Sequence, residues 1–254
     1  MTTLFISDLH LCAERPAITE LFLDFLRREA MQADALYILG DLFEHWIGDD
    51  ATSQEEYYLM LEGMRNVASA DTPLLVMHGN RDFLMGTGFE HATGCRLLKD
   101  PTVIDLYGTR VLLMHGDTLC TDDQAYQAFR RKVRSPEFIR EFLGKSTHER
   151  NSIVREIRET SRIETAKKHP EIMDVNQQTV KAAMRQHDVA HLIHGHTHRP
   201  AQHIFELDGK QARRTVLGDW YDQGSVLRCT PTDWQLEPLP LGWVGQSANA
   251  APVQ

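Results

Sequence analysis

The chain is poor in cysteine, with four in 254 residues (Cys12, Cys95, Cys120 and Cys229) and no Cys-x-x-Cys pair. That excludes a disulfide-framed scaffold and a thiolate zinc site, and the four read as reduced thiols of a cytosolic protein. No apolar run approaches the roughly 18 residues that a bilayer span needs. No basic stretch leads into an apolar segment at the start, so no secretory leader is expected. Positive charge is in deficit. The 27 Lys and Arg against 36 Asp and Glu leave a net charge of −9, which argues against a nucleic-acid binder. The 42% hydrophobic and 25% charged fractions are those of a soluble globular protein, and carboxylates are left over for a metal enzyme. Thirteen histidines are many, and several fall in tight motifs.

Apolar runs and their breaks predict strands over 3–6, 35–39 and 73–77, with helices opening at Pro16 and over 55–68 between them. The first helix presents Ile18, Leu21, Phe22, Phe25 and Leu26 on one face, and the second Leu59, Leu61, Met64 and Val67. This is the pattern of parallel βαβ units. Further on, strands are predicted at 103–107, 110–114, 190–194, 202–207, 211–217, 225–230 and 234–239. Gly108 and Asp208-Gly209 mark hairpin turns. A βα half followed by an antiparallel half predicts an α/β sandwich of two packed sheets with helices outside.

Residues 121–175 interrupt this plan. They lack strand patterning and read as helices, with Phe129, Val133, Phe138, Phe142, Ile153 and Val154 among their apolar positions. Residues 121–170 hold 12 Lys and Arg against 8 Asp and Glu, a net +4 that leaves −13 for the rest of the chain. The expected division is a core of 1–120 and 176–240, a helical cap of 121–175 and a disordered tail of 246–254.

Five clusters fall at or just past predicted strand ends: Asp8-Leu9-His10, Gly40-Asp41, Gly79-Asn80-Arg81-Asp82, His115-Gly116-Asp117 and Gly195-His196-Thr197-His198. Open α/β sheets place their sites along that edge. Asp8, His10, Asp41, Asn80, His115, His196 and His198 offer oxygen and imidazole donors without a thiolate, a set suited to Mn, Fe or Zn. Seven ligands suit two ions about 3.5–4 Å apart, a pair that binds phosphate oxygens and activates water at neutral pH. Asp41 is the expected bridging carboxylate. If the backbone is extended there, residues i and i+2 point the same way, so Asp8 with His10 and His196 with His198 would converge.

In this order the five motifs resemble those of the calcineurin-like metallophosphoesterases. The resemblance implies a sandwich of two mixed β-sheets flanked by helices, with the insertion as a lid. It implies one ion on Asp8, His10, Asp41 and His198, and the other on Asp41, Asn80, His115 and His196. The segments ALYILGDLFEHWIGDD, HGNRDFL, LLMHGDTLCTDD, IMDVNQ and LIHGHTHRPA are most similar to the branch of that family that cleaves the pyrophosphate of UDP-2,3-diacylglucosamine in lipid A biosynthesis. That closer resemblance implies two Mn²⁺ per chain, a lipid-linked nucleotide sugar as substrate, and a place on the cytoplasmic face of the bacterial inner membrane. No nucleic acid or obligate protein partner is implied. Arg81, Asp41 and His115 are the candidate catalytic residues. Asn80, Arg81, Asp123, Ser161, Thr165, Lys168 and His196 are the candidate substrate contacts, with Thr165 where the branch leads one to expect Asn.

Arg81 fits pyrophosphate chemistry on physical grounds. The leaving group is a phosphate of pKa about 6, which needs charge neutralisation more than a proton, and Arg supplies a permanent bidentate charge. The competing reading of Arg81 is an ion pair with Asp82. The apolar, basic cap suits a two-chained lipid at an anionic membrane. Two other readings are a phosphoesterase for a soluble substrate and a metal-stabilised scaffold without activity. His45, His78, His91, His148, His169, His187, His191 and His203 are expected to be structural or superficial. His194, Trp46 and Trp220 are expected to pack behind the site, with Trp46 a candidate for the mouth of a cavity, and Asp117 to orient His115 or its loop.

Overall fold

The structure is a computed structural model that describes residues 1–52, 54–169 and 171–243. The expected disordered tail, 246–254, lies outside the described residues. The first half runs β1 (Thr3–Ile6), α1 (Pro16–Arg28), β2 (Ala35–Leu39), α2 (Glu55–Ser69), β3 (Leu74–Met77), α3 (Thr87–Thr93) and β4 (Arg96–Leu98). Then come β5 (Thr102–Leu106), β6 (Thr109–Met114), and the helices α4 (Gln124–Val133), α5 (Pro136–Leu143), α6 (Thr147–Ala166) and α7 (Gln177–Gln186). The chain closes with β7 (His191–His194), β8 (Ala201–Leu207), β9 (Lys210–Val216), β10 (Gly224–Cys229) and β11 (Trp234–Leu239).

Two mixed sheets form the sandwich, ordered β11-β10-β1-β2-β3-β4 and β5-β6-β7-β9-β8. Strands β1 to β4 are mutually parallel, and the β10–β11 hairpin returns to lie antiparallel beside β1. The second half is therefore not the expected antiparallel block: β6, β7 and β9 run parallel, with β5 and β8 as antiparallel edges. The α7 crossover joins β6 to β7 and makes their parallel pairing possible.

Alternation along each strand explains the layering. Leu4 and Ile6 face the helices α1 and α2, whereas Phe5 faces the other sheet. In the second sheet Leu112, Met114 and Leu192 face α7, while Val111, Leu113 and Ile193 meet Phe5, Leu39 and Met77 between the sheets. Central strands covered on both faces read as unbroken apolar runs, and β1 and β3 are buried throughout. All five predicted apolar positions of α1 are buried. On α2 the buried set is Tyr57, Met60, Leu61, Met64 and Val67, with Leu59 on the outside.

The three helices α4 to α6 carry strong start signals: Asp123 caps α4, Ser135 and Pro136 open α5, and Ser146 with Glu149 forms a capping box on α6. Phe142 is buried in the core that α1 and α2 share with the first sheet, and Phe138, Ile153 and Val154 pack against it. Several basic residues here point inward rather than to an outer face. Arg134 Nη2 donates to Gly79 O at 2.8 Å, Arg130 Nε pairs with Asp117 at 2.5 Å, Arg150 Nη1 donates to Ile47 O at 2.7 Å, and Arg158 pairs with Glu44. These contacts fasten the helices to the loops after β2, β3 and β6.

Candidate metal centre at the strand ends

Each of the five motifs begins where a strand stops. Asp8 and His10 follow β1, Asp41 follows β2, Asn80 and Arg81 follow β3, His115 follows β6, and His196 and His198 follow β7. These five strands come from both sheets, and within each sheet they run parallel, so one edge of the sandwich collects all five ends. The backbone there is not extended. Asp8, His10, Asp41, His196 and His198 have φ of +57°, +50°, +51°, +69° and +54°, a region that non-glycine residues rarely occupy. The paired ligands therefore converge through left-handed turns and not through strand alternation. Five such residues in one place store strain of the kind found at functional sites. The backbone bonds Asp8 N to Gly40 O at 3.0 Å, His10 N to Asp41 O at 2.9 Å and Gly195 N to His115 O at 2.8 Å hold them.

The turns also approach one another more closely than a side chain allows. A Cβ on Gly79 would collide with the Asp41 carboxylate, and one on Gly195 with Ser7 Oγ and Asp8 Oδ2. Gly195→Ala is therefore expected to displace Asp8 and to abolish stoichiometric metal uptake, with a lower melting temperature. Metal analysis of the purified variant by plasma emission checks this, and normal metal content would contradict it.

Seven expected ligands meet here. Asp8, His10 and His198 form one group and Asp8, Asp41 and His115 another, with the donor atoms in each within 4.8 Å of one another. His10 Nε2 and His198 Nε2 are 3.2 Å apart, and Asp8 Oδ1 is 3.4 Å from His198 Nε2. Asp41 Oδ2 lies 3.9 Å from His10 Nδ1 and its Oδ1 lies 3.9 Å from His115 Nε2, so its two oxygens face both sides as a bridge requires. Asn80 Oδ1 is 3.0 Å from His115 Nε2. His196 joins through its ring, 5.1 Å from that of His115, and through its N–H to Asp8 Oδ2 at 2.9 Å. Asp8 thus stands nearer the second group than the resemblance implies.

Polar satisfaction marks the centre as incomplete without a cation. Ser7 Oγ and His196 N–H both donate to Asp8 Oδ2, while Asp8 Oδ1 and His10 Nδ1 are buried with no hydrogen-bond partner. Buried polar atoms of this kind are rare unless an ion or water completes them. The donor set of carboxylate, amide and imidazole fits divalent ions of the Mn, Fe or Zn kind. His115 Nδ1 donates to Leu39 O at 2.9 Å, which leaves Nε2 as the ligand atom.

Burial pushes the His196 imidazole down to about 4, helped by the charge of His115, so it is neutral as a ligand must be. Burial also lowers His10. Against the same burial, Asp41 and Asp8 push His115 up to about 9. In the metal-free protein His115 therefore holds a proton below pH 9, and a metal must displace it. Apparent metal affinity is expected to fall as pH drops below about 9, with proton release on binding. Calorimetry of Mn²⁺ binding in two buffers of different ionisation enthalpy measures that release, and identical heats at pH 7 would contradict it.

Arg81 does not pair with Asp82. Asp82 is fully buried and accepts from Leu42 N and Gly79 N, both at 2.7 Å, which ties the β2 loop to the β3 loop. The Arg81 guanidinium instead pairs with Glu44, with Nε 3.8 Å from Asp41 Oδ2 and Nη2 donating to Tyr221 OH at 3.4 Å. Asp117 does not touch His115; it accepts from Tyr126 OH at 3.0 Å and pairs with Arg130. Asp123 caps α4 and pairs with Lys168 at 2.5 Å, while Ser161 and Thr165 lie on the exposed surface of α6. Trp46 is buried against Phe43 rather than at a mouth.

Sequence reasoning missed Glu44, where Arg15, Arg81 and Arg158 converge. Its signal was a lone acid inside the apolar run Leu42-Phe43-Glu44-His45-Trp46-Ile47. It also missed Tyr221, whose ring stacks 5.1 Å from His10.

The family model for calcineurin-like phosphoesterases matches residues 1–200. A protein of Pseudomonas paraeruginosa named UDP-2,3-diacylglucosamine hydrolase is 51% identical over 241 residues, covering 95% of this chain and all of its own. Proteins of the same name from Klebsiella pneumoniae and Escherichia coli are 51% and 50% identical over 240 residues, each covering 94% of this chain and all of its own.

Proposed function

The chain belongs to the calcineurin-like phosphoesterase family, and from that premise we propose that it hydrolyses the pyrophosphate bond of UDP-2,3-diacylglucosamine to UMP and 2,3-diacylglucosamine 1-phosphate (lipid X), in lipid A biosynthesis. The observation that carries this reading is the gathering of seven oxygen and nitrogen donors with the Arg81 guanidinium beside them, in a chain half identical to full-length relatives of that name. Asp8, His10, Asp41 and His198 would hold one ion, and Asp41, Asn80, His115 and His196 the other. Divalent ions there, which we assign as Mn²⁺, would neutralise phosphate charge and make an attacking water available at neutral pH.

The chain's own residues do the positioning. The two Asp41 oxygens face both groups, and Leu39 O fixes the His115 tautomer. Glu44 and Tyr221 orient Arg81 toward Asp41. Arg81 would take the charge of the departing phosphate through paired N–H donors. Asn80, Arg81 and His196 from the core and Asp123, Ser161, Thr165 and Lys168 from the cap would contact the substrate. The cap of residues 121–175 would cover the acyl chains. Phe129, Leu143 and Ile163 are exposed there and offer apolar surface for this.

No helix among the described residues is long and apolar enough to cross a membrane. Peripheral binding at the cytoplasmic face of the inner membrane would then rest on exposed cations such as Arg131, Lys132, Arg140 and Arg155, at about 1 kcal/mol each near anionic lipid. No nucleic acid and no obligate protein partner enter this reading. Steady-state kinetics of a Phe129→Ser, Ile163→Ser double variant test the lipid assignment. KM for the long-chain substrate is expected to rise well beyond that for a short-chain analogue, and equal effects on both would overturn it.

A further inference from the structure

The second sheet contains a buried cation that the metal centre does not use. Arg150, Arg214 and Arg228 are each more than nine-tenths buried. Arg150 pairs with Asp50, and Arg228 pairs with Glu29 at 2.7 Å and Glu237 at 2.5 Å. Arg214 has no carboxylate within ion-pair distance among the described residues. Its Nη1 donates to His194 Nε2 at 3.3 Å, and its Nε has no partner. An uncompensated guanidinium in the interior is costly, so proteins bury such a charge where an anion completes it.

The surroundings supply the rest of a site. Arg214 lines a cavity of about 260 Å³ with Asp174, Thr197, Arg199, Pro200 and His203. Asp174 lines the same cavity and its charge acts on Arg214, but it makes no ion pair there: its carboxylate accepts from Val175 N at 2.7 Å and from Arg199 Nη1 at 2.8 Å. Thr197 Oγ1 is buried and unpartnered. His194 is fixed as an acceptor toward Arg214, since its Nδ1 donates to Gly195 O at 2.8 Å. Donors thus reach the cavity from the turn after β7 and from β9. That spread suits a tetrahedral oxyanion with acceptors on every side better than a planar carboxylate.

We propose that this cavity is a binding site for a small oxyanion of the phosphate class, with Arg214 as its principal ligand and the Thr197 hydroxyl and Arg199 beside it. Thr197 separates His196 from His198, so the occupant would sit against the turn that carries two of the metal-centre histidines.

Sulfate is a suitable probe, compared with chloride at equal ionic strength on the full chain after chelation, because ions at the metal centre would themselves take up the sulfate. The melting temperature of the unaltered protein is expected to rise by about 3–5 °C at ten times the dissociation constant. Arg81→Gln is expected to keep that rise. Arg214→Gln is expected to lose it, while melting no lower than the unaltered protein in chloride, because a charge without a partner has been removed. A full sulfate response in Arg214→Gln would overturn the proposal. If that variant does not fold, selenate soaked into crystals of the unaltered protein decides. An anomalous peak within hydrogen-bond reach of Arg214 is expected, together with the melting shift. No peak at saturating selenate, or a peak without any shift in melting, which marks an adventitious ion only, would overturn it.

Discussion

Asp41→Ala is expected to lower turnover by at least about 10³-fold while the protein still folds. Asp41 touches both halves of the centre, 3.9 Å from His10 through one oxygen and 3.9 Å from His115 through the other, and it accepts the Arg81 N–H at 2.9 Å. Losing a bridging carboxylate removes several kcal/mol of charge stabilisation, and each tenfold in rate is about 1.36 kcal/mol. Folding follows a different course. Burial and the charge of Asp8 raise the Asp41 carboxyl above its ordinary range, so ionising it in the metal-free protein costs stability at neutral pH. The metal-free variant is therefore expected to melt no lower than the metal-free parent, with the parent ahead only when both are loaded with metal. Turnover and paired melting curves, with and without chelator, read these two effects separately. Full turnover in a folded Asp41→Ala protein would remove the dimetal account.

Arg81→Ala is expected to lower kcat by about 10²–10³, the size seen when one preorganised donor to a developing anion is lost. The pair with Glu44 and the bond to Tyr221 hold the guanidinium beside Asp41 before substrate arrives. Arg81→Lys keeps a charge but loses the planar fork, and should fall between the two. The diagnostic quantity is kcat against KM. A variant with unchanged kcat and only a raised KM would mean that Arg81 binds ground and transition states equally, contrary to a role in stabilising the leaving phosphate.

Much of the fold was legible because its strands are short apolar runs stopped by chemically distinctive residues. The runs at 3–6 and 35–39 end at Ile6 and Leu39, as β1 and β2 do. Elements α3 and β4 were not predicted. Seven residues containing Gly88 and three residues beginning with Arg96 carry too little periodicity to stand out. The parallel pairing of β6, β7 and β9 was hidden as well, since neighbours in sequence suggested hairpins and the crossover helix α7 lay beside the helical interruption.

At the centre the residue types and their order were readable, but the way they converge was not. Left-handed φ at Asp8, His10 and His198 is invisible in a sequence because even Asp and His, which enter that region more readily than most residues with a side chain, do so only as the exception. The direction of charge on α4 to α6 was equally hidden. Arg130, Arg134, Arg150 and Arg158 look like a basic surface in the sequence, yet each reaches an acid or a carbonyl of the core. Long side chains choose their partners only once tertiary packing brings Asp117, Gly79, Ile47 and Glu44 within reach.

The most direct test of the account is the product balance of the purified protein given UDP-2,3-diacylglucosamine, after chelation and again after Mn²⁺ is restored. The expected result is no product after chelation, and equal amounts of UMP and 2,3-diacylglucosamine 1-phosphate once the metal returns. Undiminished release after complete metal removal, or metal-dependent cleavage of a simple phosphodiester with none of the lipid nucleotide, would contradict it.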